Sequence, residues 1–230
     1  LGILILRVDA PLFQESLTPI GQDPWAPSII HEMIFASEKI GVGPMATVAG
    51  AIAEFLGRDI SMMTDEFIIE NGGDISIKTL RERMVLVYAK KSPFSQKIAI
   101  KLKAKDTPYG ICTSSATVGH SLSLGKADAV CIVADSALFA DGLATRIGNS
   151  VKSKDDVAVA IEKGKTFAGV IGMLIIVGEK ELDIMRKSAR TLHDMISNSQ
   201  LYIGEKMRHG ELSLVNSKEY LALIKSFLVK

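Results

Sequence analysis

Asp141 and Thr145 stand four positions apart in Ala134-Asp135-Ser136-Ala137-Leu138-Phe139-Ala140-Asp141-Gly142-Leu143-Ala144-Thr145, a stretch otherwise dominated by small and apolar residues. In a helix this spacing places a carboxylate and a hydroxyl on one face, one turn apart. The flanking alanines and leucines predict a carboxylate that is at least partly buried, and an uncompensated buried charge is strongly unfavourable. Two arrangements would compensate it. Hard oxygen ligands one turn apart suit Mg2+ or Ca2+, which take oxygen donors and keep room for waters or phosphates. A hydrogen-bonded helix-cap or core aspartate would satisfy the same side chain without an ion.

Other segments offer weaker chemistry of their own. Gly41-Val42-Gly43-Pro44 leads into a helix start, where free N–H groups attract anions such as phosphate, although glycines there also serve conformation alone. Asn71-Gly72-Gly73-Asp74 reads as a hairpin turn or as a backbone nest for an anion. Cys112 lies among hydroxyls in Tyr109-Gly110-Ile111-Cys112-Thr113-Ser114-Ser115, as a reactive thiol or as a small core residue. His120 follows a glycine in a polar segment and is a candidate catalytic acid or base, or a surface histidine.

Taken in order, several of these segments resemble one family. Gly50-Ala51-Ile52-Ala53-Glu54 is similar to the "GAIAKG" helix of the ApbE-like family, and Ile69-Glu70-Asn71-Gly72-Gly73-Asp74-Ile75 to its "vnvGGdi" turn. Thr113-Ser114-Ser115 resembles its "TSG" step, and Asp135-Ser136 with Ala140-Asp141-Gly142-Leu143-Ala144-Thr145 its late "ADALAT" motif. The ordered set, over about residues 42 to 150, is more specific than any one match. Within the family the chain most resembles a smaller ApbE-related branch of archaea and bacteria, through Gly41-Val42-Gly43-Pro44-Met45-Ala46 and Asn71-Gly72-Gly73-Asp74.

ApbE-like transferases are Mg-dependent enzymes that use FAD and attach FMN to proteins. The resemblance therefore implies Mg2+ held by Asp141, Thr145 and the backbone carbonyl of Ala51, with Asp141 central to catalysis. It implies a small phosphate-containing ligand, FAD or FMN, gathered by Gly43, Asn71, Gly72, Gly73, Asp74, Thr113, Ser114 and Ser115, and transfer or hydrolysis at phosphorus. The chain departs from the pattern twice. Val118-Gly119-His120-Ser121-Leu122-Ser123-Leu124-Gly125 stands where the transferases carry "hiiDP.tG", and Glu54 replaces the lysine of "AKG". The first departure favours a non-flavin role on the same scaffold, for which the branch suggests anaerobic sulfur assimilation (homocysteine or sulfur transfer). A binding protein without chemistry is the third expectation.

The elements that must position these residues can be read from pattern. Leu1 to Leu6 reads as a strand, and Pro11, Pro19, Pro24 and Pro27 predict a long loop holding Trp25, the single tryptophan. Ser28 is a candidate cap for a helix ended by Gly41, and a second helix is expected from Pro44 to Gly57. Strands are expected at Glu66–Glu70, Ile75–Lys78, Met84–Ala89 and Ile98–Lys103. A buried strand at Ala129–Ala134 should feed the Asp141 helix, followed by a helix at Lys154–Lys163 and a core strand at Gly169–Val177. Grouped strands with flanking helices indicate an α+β fold, here the layered ApbE-like architecture over residues 1–187. From about Ser188 to residue 230 the pattern is helical and more polar, a C-terminal extension suited to homodimer contacts.

Composition narrows the partners. With 230 residues, 47% of them hydrophobic, the chain can bury a sizeable core, and a net charge of +1 gives no field for a nucleic acid. Two cysteines, without a CxxC pair, point to a reducing cytoplasm rather than a disulfide framework. The apolar run from Ala168 to Val177 is too short for a membrane helix.

Overall fold

The computed structural model describes residues 10–89, 95, 97–115 and 124–177. The expected first strand, His120 with most of its segment, and the C-terminal extension lie outside the described residues. The fold is α+β. Five strands form one antiparallel sheet in the order β1 (Phe67–Asn71), β2 (Asp74–Thr79), β5 (Lys105–Ser114), β6 (Ala129–Ala134), β7 (Val170–Ile176). A separate hairpin, β3 (Arg83–Leu86) with β4 (Ala99–Leu102), completes the strands described.

Alternation along β6 shows why the sheet needs cover on both sides. All six residues of β6 are buried, which a period of two permits only if both faces are packed. Val130, Ile132 and Ala134 join the core beneath α1 (Ala10–Glu15), α2 (Ser28–Ile40), α4 (Ala137–Ser150) and α5 (Asp156–Lys165). Ala129, Cys131 and Val133 join a second core with Ile100 and Leu102 of the hairpin. The layers are therefore helices, sheet and hairpin, with α3 (Val48–Ile60) packed over β1 and β2.

Local differences from the sequence reading have identifiable causes. Ala10–Glu15 is helical where a loop is expected, because Pro11 sits in the first turn, where its missing N–H has no intrahelical acceptor to lose. Trp25 is 79% exposed. Ser28 is the first residue of α2, with Pro27 at the cap position and Gly41 closing the helix at φ 81°. Pro44–Thr47 forms a 3-10 turn before α3, which runs on past Gly57. A Cβ on Gly57 would meet the Phe67 ring at 2.8 Å, so the glycine lets β1 approach rather than ending the helix. Strand β5 has no sequence-based forecast, since Pro108 and Gly110 read as breakers. Pro108 is tolerated because β5 meets β6 only from Gly110 onward and its pairing with β2 shifts register there.

Candidate active site

The turn Asn71–Asp74 is the tightest element of the site. Asn71 pairs with Asp74, and Gly72 and Gly73 take φ of 65° and 104°, as a two-residue hairpin with right-handed strand twist requires. The Gly73 N–H donates to Glu70 Oε1 at 2.9 Å, so that donor is already used within the hairpin. Asn71 Nδ2 donates to the Ala49 carbonyl at 3.3 Å and fastens the turn to the start of α3.

Asp74 points from the head of β2 toward the helix layer. Its Oδ1 accepts the Thr113 N–H at 3.2 Å, and the Cys112 thiol lies within hydrogen-bond reach of both its carboxylate and the Ala137 carbonyl, the latter at 3.2 Å. Burial pushes the Asp74 carboxyl up to about 6; the Cys112 thiol and the Thr113 N–H restrain the rise, and nearby Glu70 adds to it.

Asp141 reaches the same place from the second turn of α4. Its Oδ2 accepts the Gly50 N–H at 3.0 Å, with the Ala49 N–H as a second donor, so it caps the free amides at the start of α3. The capping reading of this aspartate is thus realised. It does not account for the whole site, because burial and the neighbouring Asp74 still hold the Asp141 carboxyl well above the ordinary range. Two part-buried carboxylates lie near enough for the charge of Asp74 to raise Asp141, and among the described residues no lysine or arginine is paired with either.

The other residues named from sequence divide into two sets. Thr145 is partly buried one turn beyond Asp141 on α4, and its hydroxyl makes no hydrogen bond among the described residues. Thr113 brings its backbone N–H to Asp74, while its hydroxyl bonds Cys131 across the sheet pair, on the face away from the carboxylates. Ala51 is fully buried inside α3; the α3 backbone groups that meet Asp141 are the N–H groups of Ala49 and Gly50. Gly43 packs under the N-terminal loop, where a Cβ would sit 1.7 Å from the Ser16 carbonyl. Ser114 lies beside Gly148 of α4, and the Ser115 hydroxyl donates to the Asp128 carbonyl at 2.5 Å.

Residues that the sequence reading did not assign to the site turn out to shape it. Gly50 has no space for a side chain, since a Cβ would lie 2.2 Å from the Ala137 carbonyl and 2.8 Å from Asp141 Cβ. Gly110 plays the same part beneath the first residue of α4, with Ala137 N at 2.2 Å from a Cβ. Glu54 does not turn toward the carboxylates. Its Oε2 accepts from Ser136 Oγ at 2.6 Å and from the Leu138 N–H at 3.0 Å, at the start of α4. A small cleft of about 170 Å³ beside Glu54, Arg58 and Ser76 does not include the two aspartates.

Chemically, the donor set is oxygen-rich and hard. Two carboxylates and the hydroxyl one turn beyond Asp141 suit a Mg2+-type cation that retains waters, while the α3 groups that meet Asp141 are N–H donors. Among the described residues no group of three or more His, Cys, Asp or Glu side chains could hold a metal, so neutral oxygens would have to complete the shell. Cys112 fits nucleophilic chemistry poorly. Burial first, then the charges of Asp74 and Asp141, keep its thiol protonated.

Comparison with known proteins gives the chain its family. A UPF0280 protein of Methanococcus aeolicus is 42% identical over 177 residues, covering 75% of this chain and 71% of that protein. Another, from Methanocaldococcus jannaschii, is 39% identical over 175 residues, covering 74% and 71%. Among solved structures, the apo flavinyl transferase ApbE of Pseudomonas stutzeri matches with a TM-score of 0.44 at 16% identity, over 61% of this chain and 46% of that one. The chain thus spans less than half the length of that transferase. The family model described as "AbpE bacteria" matches residues 5–170, and with these relatives it shows that the chain belongs to this ApbE-related family.

Proposed function

We propose that this protein holds a Mg2+-type cation between Asp74 and Asp141 and, through it, binds a small phosphate-containing ligand of the flavin type. The observation that carries the reading is the pair of part-buried carboxylates, both raised by burial and Asp141 raised further by the charge of Asp74, with no cationic side chain paired to either among the described residues. Asp74, Asp141, Thr145 and a carbonyl at the start of α3 would hold the ion. When bound, it would neutralise pyrophosphate oxygens and polarise the bond to be broken at phosphorus. Because carboxylates at this place would repel a phosphate in the absence of a cation, the phosphate ligand would bind only after the ion.

The residues of the chain do the positioning. Asn71 ties the β1–β2 turn to α3, the Gly50 and Ala49 amides orient Asp141, and the Thr113 amide orients Asp74. The reaction class this serves is transfer or hydrolysis at a pyrophosphate, with FMN transfer from FAD as the specific case implied by the resemblance of the sequence motifs to the transferases. Glu54 supplies no positive group to the ligand, which favours binding with weak or no transfer. Calorimetric titration with FAD, FMN, ADP and pyrophosphate, each with and without Mg2+, tests the reading. Heat that appears only with Mg2+ supports it, and no heat from any ligand rejects it. Incubation with FAD, Mg2+ and a peptide bearing an acceptor Ser or Thr then separates a transferase from a binding protein. A sulfur-carrier role through Cys112 is disfavoured by its burial and protonated thiol.

A further inference from the structure

Glu54 and Asp141 form a reciprocal arrangement. Asp141, carried by α4, accepts the first free amides of α3, and Glu54, carried by α3, accepts the Leu138 amide in the first turn of α4. Glu54 Oε2 also takes the Ser136 hydroxyl, which itself accepts the Phe139 N–H at 3.1 Å. Each helix therefore caps the other with one carboxylate. Between the two caps, Gly50 and Ala137 bring the helix starts into backbone contact. Neither helix can slide or rotate against its partner without losing both caps.

The arrangement is braced from a third helix. Arg58 donates to Glu54 Oε1 at 2.6 Å and forks onto both oxygens of Glu32 on α2 at 2.7 Å each. Glu54 keeps only 14% of its side chain exposed, so its orientation is fixed by these partners and not by solvent. The glutamate that stands in place of a lysine is thus a built part of the helix junction.

We infer that Glu54 is a positioning residue for the carboxylate pair: by fixing the start of α4 on α3 it sets the depth at which Asp141 faces Asp74. The inference rests on the cation-site reading above, and it concerns a residue that touches neither ion nor ligand. Side chains that orient ligands from behind a metal site typically change metal affinity about 10-fold to 100-fold when altered. Glu54→Gln keeps an oxygen for the Leu138 amide but loses the charge that holds Arg58, and Glu54→Lys places a cation on a helix N-terminus.

The test uses the full chain with Mn2+ as the probe. Mn2+ affinity is read by electron paramagnetic resonance, and Gly50 amide exchange by NMR, at a temperature where every variant is folded. Val157→Ala, a core truncation on α5, serves as the control for general loss of stability. The expected result is a loss of Mn2+ affinity of about tenfold in Glu54→Gln and more in Glu54→Lys, with faster Gly50 exchange in both and neither change in Val157→Ala. Wild-type affinity with unchanged Gly50 exchange in the Glu54 variants overturns the inference, as does an equal loss in Val157→Ala. If the wild type binds no Mn2+, the cation-site reading fails by itself. Gly50 exchange then decides the positioning role: faster exchange in both Glu54 variants and not in Val157→Ala supports it, and unchanged exchange overturns it.

Discussion

Replacing Asp74 with Asn should stabilise the ion-free protein at neutral pH. The folded chain holds the Asp74 carboxyl at about 6 instead of 3.8, chiefly through burial, so folding favours its protonated form. A carboxyl raised in the folded state contributes stability while it stays protonated, and loses it as the pH climbs from its ordinary value through the raised one. A shift from 3.8 to about 6, at about 1.4 kcal/mol per unit, corresponds to about 3 kcal/mol by pH 7.5. Asn has nearly the same shape, carries no charge and retains an oxygen for the Thr113 N–H. The gain should be about 1–3 kcal/mol at pH 7.5, allowing for imperfect hydrogen bonding, and should vanish near pH 4. Urea unfolding of both proteins in EDTA across this range measures it. The Glu66 carboxyl, lowered by the Leu80 N–H, and the Asp156 carboxyl, lowered by the Lys152 N–H, are common to both chains and drop out of the difference. A variant less stable than wild type at pH 7.5, or a difference that does not change with pH, would refute the reasoning.

Three further outcomes follow from the geometry. Gly50→Ala forces a Cβ to 2.2 Å from the Ala137 carbonyl, so calorimetric melting should show a loss of about 1–3 kcal/mol and titration should show loss of cation binding. Gly73→Val has open space but a φ of 104°, so it should lose about 1–2 kcal/mol in urea unfolding, while Lys103→Ala should stay within about 0.5 kcal/mol. Cys112, buried and held protonated, should resist iodoacetamide at pH 8 in the native protein and react once urea unfolds it, as mass spectrometry of the tryptic peptide would show.

Strand β6 and helix α4 were legible because their signals are local: an unbroken apolar run, then Asp141 and Thr145 one turn apart among small apolar residues. The Asn71–Asp74 turn was legible for the same reason, since paired glycines between strands have few other uses. Strand β5 was hidden because its Pro108 and Gly110 are explained only by neighbours, the missing β6 partner and the start of α4. The site followed the same division. Asp141 with Thr145 could be placed on one helix face from spacing, and the ordered motifs pointed to Asp74 as well. What spacing could not give was the purpose of Glu54, whose partners Ser136 and Leu138 are brought to it only by the crossing of α3 and α4. Nor could it show that Thr113 offers its amide and turns its hydroxyl to the other face, which is a matter of strand register.

The central claim is that Asp74 and Asp141 together hold a hard divalent cation, and calorimetric titration of Mg2+ into wild type and Asp141→Asn at pH 7.5 tests it most directly. Asn keeps an acceptor for the Gly50 amide, so the junction of α3 and α4 is preserved while the charge is removed. The account predicts one saturable site in the wild type, with a stabilisation of about 2.7 kcal/mol at a hundred times the dissociation constant, and neither in the variant. Equal binding and equal stabilisation in the two proteins would contradict it.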